Sequence, residues 1–273
     1  MTRRAALAAG LALLLALPGC ADDPERTGGP ADAAPPVAAS AGPDGATPSA
    51  GPNRPGHGMP SVPTPKPTPK TKPRPKIGPL KTVRLTGVRA VALTFDDGPH
   101  PEWTPKVLDQ LRRAKVKATF CVVGVKVRKY RALVARIARE GHTLCNHSWA
   151  HDLKLGKKPA AQVRADLLRT NQEIRRAVPR ARIGYYRQPG GMWTPTVVRV
   201  ARELGMTSLH WDVDPADWKK PAASVINKRI DQQVRAGSIV LLHDGGGDRS
   251  GTLGACPTVL SSLKRRYGLI RLR

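Results

Sequence analysis

From about residue 80 onward, short apolar runs alternate with segments whose apolar residues recur every three to four positions, the pattern of strand–helix units around a parallel sheet. The runs predict strands near 88–95, 118–123, 143–146, 183–187, 207–212, 238–243 and 269–272. The periodic segments predict helices over 104–114, 127–140, 159–178, 194–204, 222–236 and 257–266. Prolines at several of the starts, and glycines after Glu140, Leu204 and Ala236, are the expected start and stop signals. About seven strand–helix units imply an α/β fold, a distorted (β/α) barrel occupying one domain over 81–273.

The pattern vanishes before that domain. Residues 21–80 are mostly Pro, Ala, Gly, Ser and Thr, too poor in large apolar side chains to offset the entropy of ordering, and read as a disordered linker. Its last part, 63–76, alternates Pro with Thr, Lys and Arg and is expected to be an extended polyproline II spacer carrying positive charge. Ahead of it, Arg3 and Arg4 precede an apolar run from Ala5 to Leu17, too short for a comfortable membrane span and typical of an export signal. That run ends in Leu17-Pro18-Gly19-Cys20, which resembles a bacterial lipobox with Cys20 as the lipidated residue. The expected location is therefore outside the cytoplasm, lipid-anchored at the cell membrane, or secreted if Cys20 is not modified.

Charge sharpens this picture. The chain of 273 residues has 46 Lys and Arg against 20 Asp and Glu, a formal +26, so polyanions attract it. Export turns that charge toward an anionic wall or membrane surface, met through the basic linker. Two Phe, four Tyr and five Trp give few stacking groups, and nucleic acid is not expected as a partner. The domain is expected to be a monomer. Beyond Cys20, Cys121, Cys145 and Cys256 are an odd number without a zinc-module spacing, and the expectation is one pair plus one buried thiol.

Parallel α/β folds gather their chemistry at the carboxyl ends of strands, and the residues that follow the predicted strands are unusually capable ones. They are Asp96-Asp97, Asn146-His147 with His151, Arg187, Asp212 with Asp214, and His243-Asp244. His147 and His151 stand four apart, so on a helical turn both imidazoles would share a face and one cation. Asp96 or Asp97 could complete a facial set with open positions, as catalytic metal sites require, leaving the other carboxylate to take a proton from water.

Thr94-Phe95-Asp96-Asp97-Gly98-Pro99, His147-Ser148-Trp149-Ala150-His151, Arg187-Gln188-Pro189, Asp214-Pro215-Ala216-Asp217-Trp218 and Leu241-Leu242-His243 together resemble, in order, the motifs of the polysaccharide deacetylase family with its NodB homology domain, carbohydrate esterase family 4. The resemblance spans about residue 88 to the end. It implies a metal-dependent hydrolase releasing acetate from amino sugars of peptidoglycan or a chitin-like glycan. It also implies Asp97, His147 and His151 as ligands of a divalent metal, zinc by donor type, with cobalt, nickel or manganese also accepted. Asp96 would be the catalytic base, Arg187 its brace, His243 the general acid and Asp214 the group tuning His243. Gly190 would offer its backbone N–H to the oxyanion, and Trp218 and Leu242 would line an acetyl pocket. The sequence departs from the family at Gly190, where an aromatic residue is usual, and Trp193 is a possible replacement for the lost surface. Two alternatives stay open: an esterase for O-acetyl xylan or a similar glycan, and a catalytically silent wall-binding lipoprotein.

Overall fold

The computed structural model describes residues 77–273. The expected export signal, Cys20 and residues 21–76 of the expected linker lie outside the described residues, and among those described no helix is long and apolar enough to cross a membrane.

Seven strands and seven α-helices alternate among the described residues. The strands are β1 (Val91–Asp96), β2 (Thr119–Val122), β3 (Thr143–Asn146), β4 (Tyr185–Tyr186), β5 (Thr207–Ser208), β6 (Ile239–His243) and β7 (Leu269–Ile270). They form one parallel sheet in the order β5-β4-β3-β2-β1-β6, with β7 beside the start of β1. Every residue of β1, β2, β3 and β6 is buried, as the near-continuous apolar runs of a sheet covered on both faces demand. The sheet curls until its far edges approach: Val83 bridges to Leu209 and Val213 to Val240, so single bridges close what full strands leave open. This is the distorted barrel expected from the sequence.

The helices are α1 (Trp103–Arg113), α2 (Gly124–Lys129), α3 (Arg131–Arg139), α4 (Ala160–Ala177), α5 (Pro195–Glu203), α6 (Ala223–Gln233) and α7 (Ser250–Tyr267). Helix α4 buries Val163, Leu167, Thr170, Asn171 and Ile174, a stripe at helical spacing. Its buried Glu173 receives Arg128 of α2 at 2.9 Å, Arg131 of α3 at 3.1 Å and Arg176 at 2.6 Å, so one carboxylate clamps three helices.

Three boundaries differ from expectation. Strands β4 and β5 shrink to two residues each, because the sheet pairs only briefly before the chain turns into site loops. The segment expected as one helix over 127–140 breaks at Tyr130 (φ −124°, ψ 47°) into α2 and α3. Helix α7 begins seven residues before Pro257, which reads from sequence as a helix start but lies inside the helix. A mid-helix proline removes the N–H that would reach the carbonyl four residues back. That carbonyl belongs to Leu253, and Gln110 Nε2 of α1 donates to it at 3.0 Å. The side chain of one helix thus satisfies the acceptor that proline orphans in another.

Cys121 and Cys145, register partners on β2 and β3, form a disulfide, and Cys256 is a buried free thiol, the arrangement expected from the odd count.

Candidate active site

The carboxyl ends of β1, β3 and β6 converge on a cavity of about 490 Å³ lined by Asp96, Asp97, His147, His151, Asp214 and His243, with apolar walls from Leu153, Trp211, Trp218 and Leu241. Gly190, Gly246 and Arg249 complete its rim.

The metal set expected from the sequence comes together. One donor atom each from Asp97, His147 and His151 lies within 4.8 Å of the others. Asp97 Oδ1 is 3.1 Å from His151 Nε2 and 3.4 Å from His147 Nε2, yet it is buried and receives no well-formed hydrogen bond. The tautomer of His147 explains why. Its Nδ1 sits 2.7 Å from the Arg187 carbonyl and must carry the hydrogen there, so a neutral His147 turns a lone pair, not a donor, toward Asp97. An orphaned carboxylate oxygen facing two imidazole nitrogens fits a divalent cation, and nitrogen and carboxylate donors with an open side fit a catalytic one. Burial would raise the Asp97 pKa, but proton-bearing imidazoles at His147 and His151, with His243 further off, reverse this and hold the carboxyl well below the usual range.

The backbone reaches this geometry through strain and anchoring. Asp97, Ser148 and His151 adopt left-handed φ values of 70°, 64° and 56°, unusual for residues other than glycine and a mark of functional sites. The two histidines therefore lie on a bent loop, not on the helical turn their spacing suggested. Asn146 holds that loop: its Oδ1 accepts from Ser148 N at 2.9 Å while its Nδ2 donates to Asn171 at 2.8 Å and to the Leu167 carbonyl at 2.9 Å. Asp166 accepts from Trp149 N at 2.8 Å. Gly124 is required where the loop packs on α2, since a Cβ there would lie 2.5 Å from the Trp149 ring.

Beside the metal set, Arg187 is fully buried and donates to Asp96 Oδ1 at 2.7 Å and to Thr94 Oγ1 at 2.8 Å. Its remaining nitrogens donate to the Leu209 and His210 carbonyls at 3.2 and 3.1 Å, which fixes the guanidinium plane. Asp96 Oδ2 is left facing the ligand cluster, 3.6 Å from His147 Nε2.

Two expectations need correction. Asp214 lines the cavity, but its carboxylate caps the Ala216 N–H at 2.7 Å and does not hold His243. The partner of His243 is Asp217, whose Oδ1 is 2.7 Å from His243 Nδ1 and whose Oδ2 accepts from the His243 backbone N–H at 2.9 Å. The cause is the turn after Asp214: Ala216 is left-handed at φ 54°, which swings the chain so that Asp217, not Asp214, faces β6. Burial would lower the His243 pKa, but the bond to Asp217 and the charges of Asp217, Asp96 and Asp97 raise it to about 9. The second correction concerns Leu242. Side chains alternate along a strand, so Leu241 shares the face of His243 and lines the cavity, whereas Leu242 turns into the hydrophobic core. Leu242→Ala should lower unfolding free energy by roughly 2–5 kcal/mol in denaturant titrations. Its specific activity when folded should stay within about twofold, while Leu241→Ala should lower kcat/KM about tenfold through the lost apolar contact.

Trp218 lines the cavity as expected and is half exposed. Gly190 does so too, left-handed at φ 62°, and its N–H has no partner among the described residues, whereas Gly191 N and Met192 N are taken by the Gln188 and Pro189 carbonyls. Trp193 does not replace the missing aromatic surface: it packs edge-on against Tyr186 at 6.0 Å, on the core. Leu153 stands over Gly190 instead, 2.9 Å from where a Cβ would be. Asp212 serves the fold, bonded to Arg235 at 3.0 Å, Arg84 at 3.1 Å and Ser238 at 2.7 Å. Sequence reading missed Trp211 and Arg249. Arg249 donates to the Asp217 carbonyl at 3.0 Å and to the Gly246 carbonyl at 3.0 Å, tying the glycine-rich loop after β6 to the segment that holds His243.

A family model for polysaccharide deacetylases matches residues 84–209. The chain is 41% identical over 182 residues to a chitooligosaccharide deacetylase of Bradyrhizobium sp. (strain ANU 289), covering 64% of this chain and 83% of that protein. It is 36% identical over 180 residues to a peptidoglycan-N-acetylglucosamine deacetylase of Bacillus cereus, covering 65% and 83%. In structure it resembles a family 4 carbohydrate esterase pseudoenzyme from Bacillus anthracis, with a TM-score of 0.65 at 27% identity over 70% of this chain and 67% of the other. With this sequence likeness covering most of its relatives, the chain belongs to the polysaccharide deacetylase family, carbohydrate esterase family 4.

Proposed function

We propose that the protein removes N-acetyl groups from amino sugars of an extracellular glycan, peptidoglycan or a chitin-like polymer, and releases acetate. The observation that carries this reading is the single cavity in which the orphaned Asp97 oxygen, two imidazoles, an arginine-braced carboxylate and an aspartate-bound histidine face one another. Asp97, His147 and His151 would hold a divalent cation, zinc by donor type, which when bound supplies Lewis acidity to the acetyl carbonyl and eases ionisation of the attacking water.

The side chains divide the remaining work. Asp96, held by Arg187, accepts the proton of the attacking water through Oδ2, the oxygen the arginine does not occupy. Gly190 offers its unpartnered N–H to the negative charge that develops on the acetyl oxygen. His243, kept protonated near neutral pH beside Asp217, gives its proton to the departing nitrogen. Leu241 and Trp218 shape an apolar seat for the acetyl methyl.

The relatives' activity on chitooligosaccharides and peptidoglycan, together with the sequence before residue 77, supports this substrate class. An exported lipoprotein anchored through Cys20, with a basic spacer between membrane and catalytic domain, works on wall glycan as a monomer rather than on nucleic acid. Acetate release by purified, metal-loaded protein from N-acetylglucosamine oligomers, peptidoglycan and acetylated xylan, run side by side, tests the reading. Release from the first two is expected. Release from xylan alone would favour an ester substrate, and glycan binding without release would favour the silent lipoprotein.

A further inference from the structure

The pole opposite the cavity, where the strands begin, carries a second concentration of chemistry. Residues 271–273 pass beneath the first residues of β2, β3 and β4: Leu272 N donates to Thr119 Oγ1, Thr143 Oγ1 donates to the Leu272 carbonyl, and Tyr185 Oη donates to the Arg273 carbonyl at 2.7 Å. Two adjoining cavities of about 600 and 620 Å³ flank this crossing and share Tyr185, Arg271 and Arg273. Arg180 and Arg182 line the first, Lys115 and Lys117 the second, and no Asp or Glu lines either. These six cations make no ion pair among the described residues, although the fold pairs Asp109, Glu173, Glu203 and Asp231 with arginines elsewhere.

A buried donor points the same way. His142, 5% exposed, lines the first of these cavities, and its Nδ1 accepts from Ala118 N at 3.0 Å. Burial, with Lys117 nearby, keeps the imidazole neutral, its pKa pushed down to about 4. Its hydrogen is therefore on Nε2, which has no hydrogen-bond partner; the nearest acid, Glu140 Oε2, is 4.0 Å away. A buried N–H left unmatched beside unpaired guanidinium groups suits an anionic oxygen.

We propose that this pole is a binding site for a phosphodiester polymer, a flexible anionic chain whose successive phosphates occupy the two cavities. Guanidinium forks take two oxygens of one phosphate, and concave cavities suit a chain better than a flat bilayer. Of the exposed large apolar residues among those described, only Val88 lines either cavity, too little for the apolar wedge of a membrane-inserting surface. Tyr185 is its one aromatic ring besides His142, too little for stacking nucleobases. Such a site would hold the catalytic cavity, at the other pole, facing away from the polyanion and toward the glycan.

The test compares two triple variants of the full chain with equal charge loss. Arg180→Gln/Arg182→Gln/Arg273→Gln removes exposed arginines at the pole, and Arg175→Gln/Arg202→Gln/Lys228→Gln removes exposed cations on α4, α5 and α6. Binding of a synthetic glycerol-phosphate oligomer is measured across salt concentrations, alongside a polyuronate of equal charge and phosphatidylglycerol vesicles. The polar triple should weaken oligomer binding at least tenfold and flatten its log–log salt slope by about 2, and the control should lose less than threefold. Equal losses in both variants, no loss in the first, or equally tight and equally sensitive binding of polyuronate or vesicles would overturn the proposal. Unchanged thermal midpoints report folding, so the result does not depend on turnover.

Discussion

Stripping divalent cations with a chelator should reduce acetate release on the order of a thousandfold or more, and Asp97→Asn should do the same without chelator. The expectation rests on an oxygen that nothing in the protein satisfies: Asp97 Oδ1 is buried, and the nitrogen of His147 facing it presents a lone pair. A cation held between that oxygen and the imidazole nitrogens of His147 and His151 would supply the partner the protein does not. Zinc, cobalt, nickel and manganese should each restore a different fraction of the rate. A second readout is independent of catalysis. Metal at about 100 times its Kd stabilises the native state by about 2.7 kcal/mol, which for a domain of this size raises Tm by roughly 5–10 °C. Asp97→Asn should abolish that rise. Full activity in chelator, or a Tm unmoved by every one of these metals, would remove the metal from the reading.

The parts of this site that lie at strand ends were legible in the sequence. Asp96, Asp97 and His243 follow buried apolar runs, and a parallel sheet delivers such residues to one rim whatever the loops do. Loops were the weak link. His147 and His151 converge as their spacing suggested, but through left-handed residues on a bent loop held by Asn146, a conformation that no periodicity announces. Asp214 and Asp217 are three apart on a segment without regular structure, so only the turn at Ala216 decides which reaches His243. Arg249 and Trp211 reach the cavity from loops in the same way. The assignment of Leu242 was avoidable, because alternation counted back from His243 selects Leu241.

The helical frame shows a similar division. Amphipathic stripes located α1, α4 and α5, whose buried residues recur at three- and four-residue spacing. Pro257 misled because its usual place is a helix start, and what permits it mid-helix is a glutamine on a different helix that donates to the freed carbonyl. Compensation from a distant segment leaves no local signal.

Asp217→Asn should lower kcat at pH 7 by about 10²–10³, whereas Asp214→Asn should change it only a few-fold. Asp217 meets His243 twice, through the ring and through the backbone N–H, and Thr252 Oγ1 donates to the same carboxylate at 2.7 Å. An asparagine in that frame can place its NH₂ against Nδ1, which disfavours the second ring proton and leaves a neutral imidazole, a far weaker acid than the imidazolium. The pH profile gives the sharper test. Burial disfavours the imidazolium, and Asp217 raises the pKa to about 9 with help from Asp96 and Asp97. A cation on Asp97 offsets that help, leaving Asp217 as the main support for the charge. Because Asp217 raises the pKa and keeps His243 protonated at neutral pH, wild-type activity should decline as pH rises above the ordinary imidazole range. In Asp217→Asn, burial is opposed by less charge, so the same decline should set in at lower pH and the activity lost at pH 7 should partly return on acidification. Asp214→Asn should leave the basic limb in place, since its carboxylate serves the Ala216 N–H. A basic limb that moves in Asp214→Asn and stays fixed in Asp217→Asn would return the tuning role to Asp214.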